Sequence, residues 1–109
     1  MRYHHKILAA GGWGKLTLVE QMGNIGSEVS RALNWRDKDR VLFMGAAERA
    51  LELLDLTIGD TRWRKGLKEL TRTREFLCDA ILGSGQYHIS FEDLDRYFFQ
   101  FALAARRDR

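Results

Sequence analysis

The sequence predicts an all-α domain, specifically an antiparallel up-down four-helix bundle, and three observations predict it. Apolar residues recur at three- and four-residue spacings along four separate stretches. No stretch alternates with period two for long enough to argue a strand. The chain has no proline, so nothing in those stretches forces a helix to break.

Residues 1–15 carry no sustained period and include Gly11, Gly12 and Gly14, which predicts a flexible lead-in. The adjacent His4 and His5 point to different sides of any regular element and read as part of this tail rather than as a metal pair. The bundle is expected over residues 16–105. Thr17 and Glu20 have capping-box spacing, so the first helix should start there and run to Trp35 or Arg36. Its stripe is Val19, Met22, Ile25 or Gly26, Val29 and Leu33. Gly23, Gly26, Ser27 and Ser30 crowd one half of it, which implies either a closely packed neighbouring helix or a groove for a ligand or second subunit.

The polar turn Asp37–Arg40 leads to a second helix with stripe Met44, Ala47, Leu51, Leu54 and Ile58, closed by Gly59. Asp60 or Thr61 is the expected N-cap of a third helix that runs unbroken to Leu82 and stops at Gly83-Ser84-Gly85. Ser90 with Asp93 forms a second capping box, and Ile89 with Leu94 the matching staple, ahead of a fourth helix carrying Leu94, Tyr97, Phe98, Phe101, Ala102 and Ala105. Residues 106–109 read as a basic, frayed tail.

Composition narrows the function classes. The 109 residues are 45% hydrophobic and 30% charged, ordinary for one globular domain. A lone cysteine, Cys78, excludes an intramolecular disulfide and a cysteine zinc cage. The N-terminal stretch is too weakly apolar for a secretory signal, and no run approaches the roughly 18 apolar residues of a membrane span. The expected compartment is the cytoplasm, with no membrane partner. A formal charge of +3 favours an acidic partner.

The third helix carries the sharpest anomaly. Its seam reads Trp63, Leu67, Leu70, Arg74, Leu77, Ile81. A guanidinium on that stripe keeps its proton, so burial there demands a carboxylate partner. The expected buried ion-pair network comprises Arg74, Glu28, Glu52, Asp55 and Arg49. The same acids, with Glu48, allow a second reading in which Glu28, Glu48, Glu52 and Asp55 converge on magnesium in a nucleotide pyrophosphohydrolase. Away from the seam, Arg62, Arg64, Lys65, Lys68 and Arg72 form a ridge of the kind that follows phosphates. Four aromatics in five residues (Tyr97, Phe98, Phe99, Phe101) exceed what one core face takes. Phe99 is therefore expected to face outward beside Tyr87 and Trp35 as a self-association patch, favouring a dimer. No catalytic residue, cofactor or metal is expected: Cys78 and His88 make no nucleophilic pair, and glycine-loop and zinc-helix motifs are missing.

The blocks Gln21–Leu33, Arg49–Thr57 and Arg74–Asp79 resemble small single-domain proteins of bacteria and archaea that have no assigned activity, so no functional residue carries over. In size, helix count and charge the chain is also similar to the four-helix accessory proteins of diversity-generating retroelements, which assemble into rings and help a reverse transcriptase and its RNA. That similarity implies a self-associating adaptor that binds RNA, DNA or a nucleic-acid enzyme. Glu52-x-x-Asp55 resembles half the motif of the all-helical pyrophosphohydrolases, whose preceding Glu-Glu-x-x-Glu block is represented here by Glu28 alone. The Arg-x4–6-His motif of helical ribonucleases is missing.

Overall fold

Thr17 accepts from the backbone N–H of Glu20 (3.2 Å) while Glu20 accepts from that of Thr17 (2.9 Å), and this reciprocal cap starts α1, Leu18–Trp35. Asp39 caps α2, Arg40–Ile58, through the N–H of Leu42. A 3-10 helix, Thr61–Gly66, precedes α3, Leu67–Leu82, and α4 spans Phe91–Arg107. The computed structural model describes residues 12–107, and among them there are four α-helices and no strand. His4 and His5, read above as part of the N-terminal tail, and the last two residues of the C-terminal tail lie outside the described residues. Arg106 and Arg107 belong to α4 rather than to a frayed end.

The folded unit begins earlier than the sequence suggested. Trp13–Lys15 is a short 3-10 helix, and Trp13 is buried in the core with its indole Nε1 donating to Thr57 Oγ1 at 3.1 Å. Flanking glycines hide this in the sequence, but one buried tryptophan anchors the segment. The expected single third helix is also split. Trp63 (φ −103°, ψ 24°) leaves helical geometry because its indole is drawn toward α1, where it donates to Gln21 Oε1 at 2.9 Å. Gly59 follows α2 with right-handed geometry (φ −76°). The left-handed glycine cap is Gly83 (φ 69°), at the end of α3.

α1 is the centre of the molecule, packing most extensively on α4 and on α2; α3 leans on α2 and touches α4 little. The core stripe of α2 runs through Phe43, Ala46, Ala50, Leu53, Leu54 and Thr57, so Met44, Leu51 and Ile58 sit at its half-buried edges. The small residues of α1 explain the close α1–α4 approach. A Cβ on Gly26 would lie 2.7 Å from the Cβ of Phe98, which is fully buried, and one on Gly23 would lie 3.4 Å from the Ala102 backbone. Arg36 meets Glu92 with paired bonds of 3.1 and 3.0 Å at the other end of the same interface.

Gly26→Ala should therefore destabilise. Overpacking against a fixed Cβ costs about 1–3 kcal/mol, more than the roughly 1 kcal/mol of helix propensity gained. Gly45→Ala on α2 is the control, because the new methyl meets only the flexible end of Arg49 at 3.4 Å. Thermal melts should show the Gly26 variant below the parent and the Gly45 variant level with it or above; the opposite order contradicts this packing.

Candidate nucleic-acid interface

A buried amide positions the basic segment. Gln21 on α1 has no solvent exposure, and every polar group of its side chain is occupied. Its Nε2 donates to the Trp13 carbonyl (2.9 Å) and to Asp60 Oδ2 (3.2 Å), and its Oε1 accepts from Trp63. Asp60 in turn caps the 3-10 helix through the Arg62 N–H at 3.1 Å and accepts the Arg62 guanidinium. Those guanidinium bonds, more than any other contact, hold the Asp60 carboxyl far below the usual carboxylate range. Arg62 also donates to the Leu16 carbonyl at 2.8 Å and lies 4.4 Å over the Trp63 ring. Arg62 thus acts as a strut, whereas the sequence had placed it among the phosphate-facing cations.

The other four members of the ridge, Arg64, Lys65, Lys68 and Arg72, are exposed on one side of the 3-10 helix and α3 and form no ion pair among the described residues. Beside them opens a cleft of about 420 Å³ between α3 and α4, lined by Glu69, Arg72, Thr73, Phe76, Ile89, Asp93, Leu94 and Tyr97. A second recess of about 240 Å³ shares Glu69 and Tyr97 with it and adds Trp63, Lys65 and Phe101. Tyr97 donates to Glu69 Oε1 at 3.2 Å, and burial raises its pKa, so the hydroxyl keeps its proton. The sequence reading missed Phe76 and Tyr97 as site residues. The surplus of aromatics on the fourth helix was a signal, but which helix they would face was not contained in it.

The expected ion-pair residues divide into separate groups. Arg74 clamps Asp55 through Nε (2.6 Å) and Nη2 (3.3 Å), and also donates to Cys78 Sγ at 3.5 Å. This pair is not buried: the two side chains are 37% and 38% exposed. The core position on α3 is taken by Thr73, whose hydroxyl is satisfied by the Glu69 carbonyl at 2.8 Å. Glu28 is a buried anion, held by Arg49 at 2.5 Å and by Arg31. Glu52 is buried on α2 and Glu48 is exposed. Among the described residues no three His, Cys, Asp or Glu side chains converge as a metal ion would require.

The three aromatics expected to form one contact patch are dispersed. Trp35 is half-buried against the core. Tyr87 stacks edge-on with Phe76 and donates to Glu75 Oε2 at 3.1 Å. Only Phe99 (53% exposed) borders an open groove, of about 530 Å³, with Gly23, Ser27, Ser30, Asp95 and Arg106. No described helix is long and apolar enough to cross a membrane. No family model, curated protein or solved structure matches this chain.

Exposure sets the energetic ranking of the two ion pairs. Arg74→Ala should cost under about 1 kcal/mol, as for a solvent-screened pair. Arg49→Ala should cost about 2–3 kcal/mol because it weakens the hold on a buried carboxylate that, among the described residues, Arg31 alone still meets. Urea titrations giving Arg74→Ala the larger loss would overturn the ranking.

Acid should act through Asp60 and Asp79. Asp79 is buried, and its pKa is lowered first by the Ser84 hydroxyl and then by the N–H groups of Gln86 and Tyr87. Both folded pKa values lie below the unfolded value of about 3.9, so their contribution is complete above that pH and is lost as pH falls through the folded values. Melting temperature should fall steeply below about pH 4, and Asp79→Asn should weaken that fall. An equally steep fall in the variant would exclude the role given to Asp79.

Proposed function

We propose that this chain is a non-catalytic helical adaptor that self-associates and binds nucleic acid through the face made by residues 61–66 and α3. One observation carries the reading: Arg64, Lys65, Lys68 and Arg72 are all exposed and none forms an ion pair among the described residues, with Glu69 the one acid between them in sequence. Cations at helical spacing displace counterions from a phosphate backbone, which gives affinity without sequence readout. Two of the four acids that a magnesium hydrolase would need, Glu28 and Asp55, are held by Arg49 and Arg74, which favours binding over hydrolysis. The order of contacts between α1 and α4 (Gly23 with Ala102, Gly26 with Phe98, Arg36 with Glu92) supports an antiparallel pair, and with it the up-down bundle. The similarity in size and charge to retroelement accessory proteins points the same way, and the compartment proposed with it is the cytoplasm.

Self-association is assigned to α4. Phe99 and Leu103, one turn apart, are 53% and 42% exposed. Asp95 and Arg106, three turns apart, line the groove that Phe99 borders, and Arg106 also lines the recess that holds Leu103. A second copy of α4 running in the opposite direction sets Asp95 against Arg106 and Phe99 against Leu103, a self-complementary surface of the kind a two-fold dimer requires.

Binding of a fluorescein-labelled RNA should weaken linearly on a log–log plot against salt. Replacing Lys65, Lys68 and Arg72 with Gln should reduce that slope by about 2 for a single strand. A slope unchanged by the triple substitution excludes this face. In sedimentation, Phe99→Asp should give the 12.7 kDa monomer while the parent is larger; a parent that is monomeric at micromolar concentration excludes the α4 dimer.

A further inference from the structure

We infer that the α3–α4 cleft receives an unpaired base, so that the nucleic acid bound by this chain is single-stranded or looped rather than duplex. This rests on the proposed basic interface and specifies its ligand.

Arg72 belongs both to the exposed ridge and to the cleft wall, so a phosphate held by Arg72 places its own nucleoside over the opening. The cleft offers the aromatic side chains of Phe76 and Tyr97, both half-buried and therefore reachable, with Ile89 and Leu94 behind them. Each ring is braced, Phe76 edge-on against Tyr87 and Tyr97 edge-on against Phe98 and Phe101, so little side-chain entropy is lost when a base stacks.

Charge decides which part of a nucleotide enters. Glu69 and Asp93 line the cleft, and although Arg96 meets Asp93, the Glu69 carboxylate forms no ion pair among the described residues and repels a phosphate from the interior. The backbone is thereby kept outside on the cations, and the neutral base is the part that fits. A carboxylate can only accept hydrogen bonds, so it also suits the amino and ring N–H groups on the edge of an unpaired base. A volume of about 420 Å³ is in the range of small-ligand clefts. Inside a duplex the same base is stacked and paired and cannot reach the cleft.

The test compares fluorescein-labelled oligoadenylate RNA with the same strand annealed to oligouridylate, by anisotropy at matched salt. Phosphate density alone ranks the duplex above the single strand, so a preference for the single strand requires contacts to bases. The expected result is tighter binding of the single strand. Tyr97→Leu and, independently, Phe76→Leu should lower its affinity about 10-fold while leaving the salt slope and the duplex affinity unchanged. Tyr97→Phe, which keeps the ring, should bind like the parent, and near-parental thermal midpoints should accompany each reading. Duplex binding equal to or tighter than the single strand overturns the inference, as does an unchanged single-strand affinity in both Leu variants. If charge neutralisation on the ridge abolishes binding but loss of the aromatics does not, the cleft falls and the interface stands. If neither RNA form binds at low salt, both fall.

Discussion

Gln21 is the constraint on which the candidate interface depends. A fully buried amide is tolerated only when its donors and acceptor are all answered, and here three segments answer them. The Trp13 carbonyl comes from the N-terminal 3-10 helix, Asp60 from the end of α2, and the Trp63 indole from the segment before α3. Each of those groups is itself anchored: Trp13 to Thr57, Asp60 to Arg62, and Trp63 under the Arg62 guanidinium. Residues 61–66 are consequently fixed against α1 instead of extending α3 by another turn. That bend places Lys65 and Trp63 in the lining of the recess they share with Tyr97.

The cleft exists because α4 is committed elsewhere. Gly23 and Gly26 let α4 approach α1 so closely that Phe98 and Ala102 meet the glycine faces directly. A helix drawn onto α1 in this way contacts α3 only slightly, and the space left between them is the cleft. The loop that joins α3 to α4 keeps the gap from closing. Asp79 gathers Ser84 and the backbone of Gln86 and Tyr87, while Ser90 and Asp93 cap the first turn of α4 with bonds of 3.1 and 3.0 Å. Both ends of that connection are therefore fixed by carboxylates.

Local signals were legible in the sequence, and signals that depend on distance between helices were not. Both capping boxes stand where their spacing put them, and Gly83 ends α3 in the left-handed conformation that glycine favours. Those features involve residues within one turn of one another. Arg74 shows the opposite case. Leu70 and Leu77 belong equally to a stripe through Thr73 and to one through Arg74, and the sequence favours the second because its other members are larger and apolar. The structure buries Thr73 because an α-helix lets a threonine hydroxyl bond back to the carbonyl four residues earlier, which makes its burial cheap. Trp13, Gln21 and the bend at Trp63 were illegible for a related reason. They are partners of one another across as many as 42 residues, and none has a local motif.

The distribution of ion pairs explains why a chain of only +3 presents a distinctly positive edge. Eighteen cations stand against fifteen acids, yet the acids are not spread evenly over the surface. Asp60 is tied to Arg62, Asp55 to Arg74, Glu28 to Arg49 and Arg31, Glu92 to Arg36 and Asp93 to Arg96. Each of those pairings neutralises a cation that lies away from the ridge or that serves as a strut beneath it. Buried Glu28 apart, pairs of this kind are screened by solvent and contribute little to stability, so their larger effect is on the field around the molecule. Glu69 is the acid set among the ridge cations, and it turns toward the cleft to accept from Tyr97. The positive edge and the acidic lining of the cleft thus follow from one arrangement: Asp60 and Asp55 are held by Arg62 and Arg74, Glu69 turns into the cleft, and Arg64, Lys65, Lys68 and Arg72 stay exposed without an ion pair among the described residues.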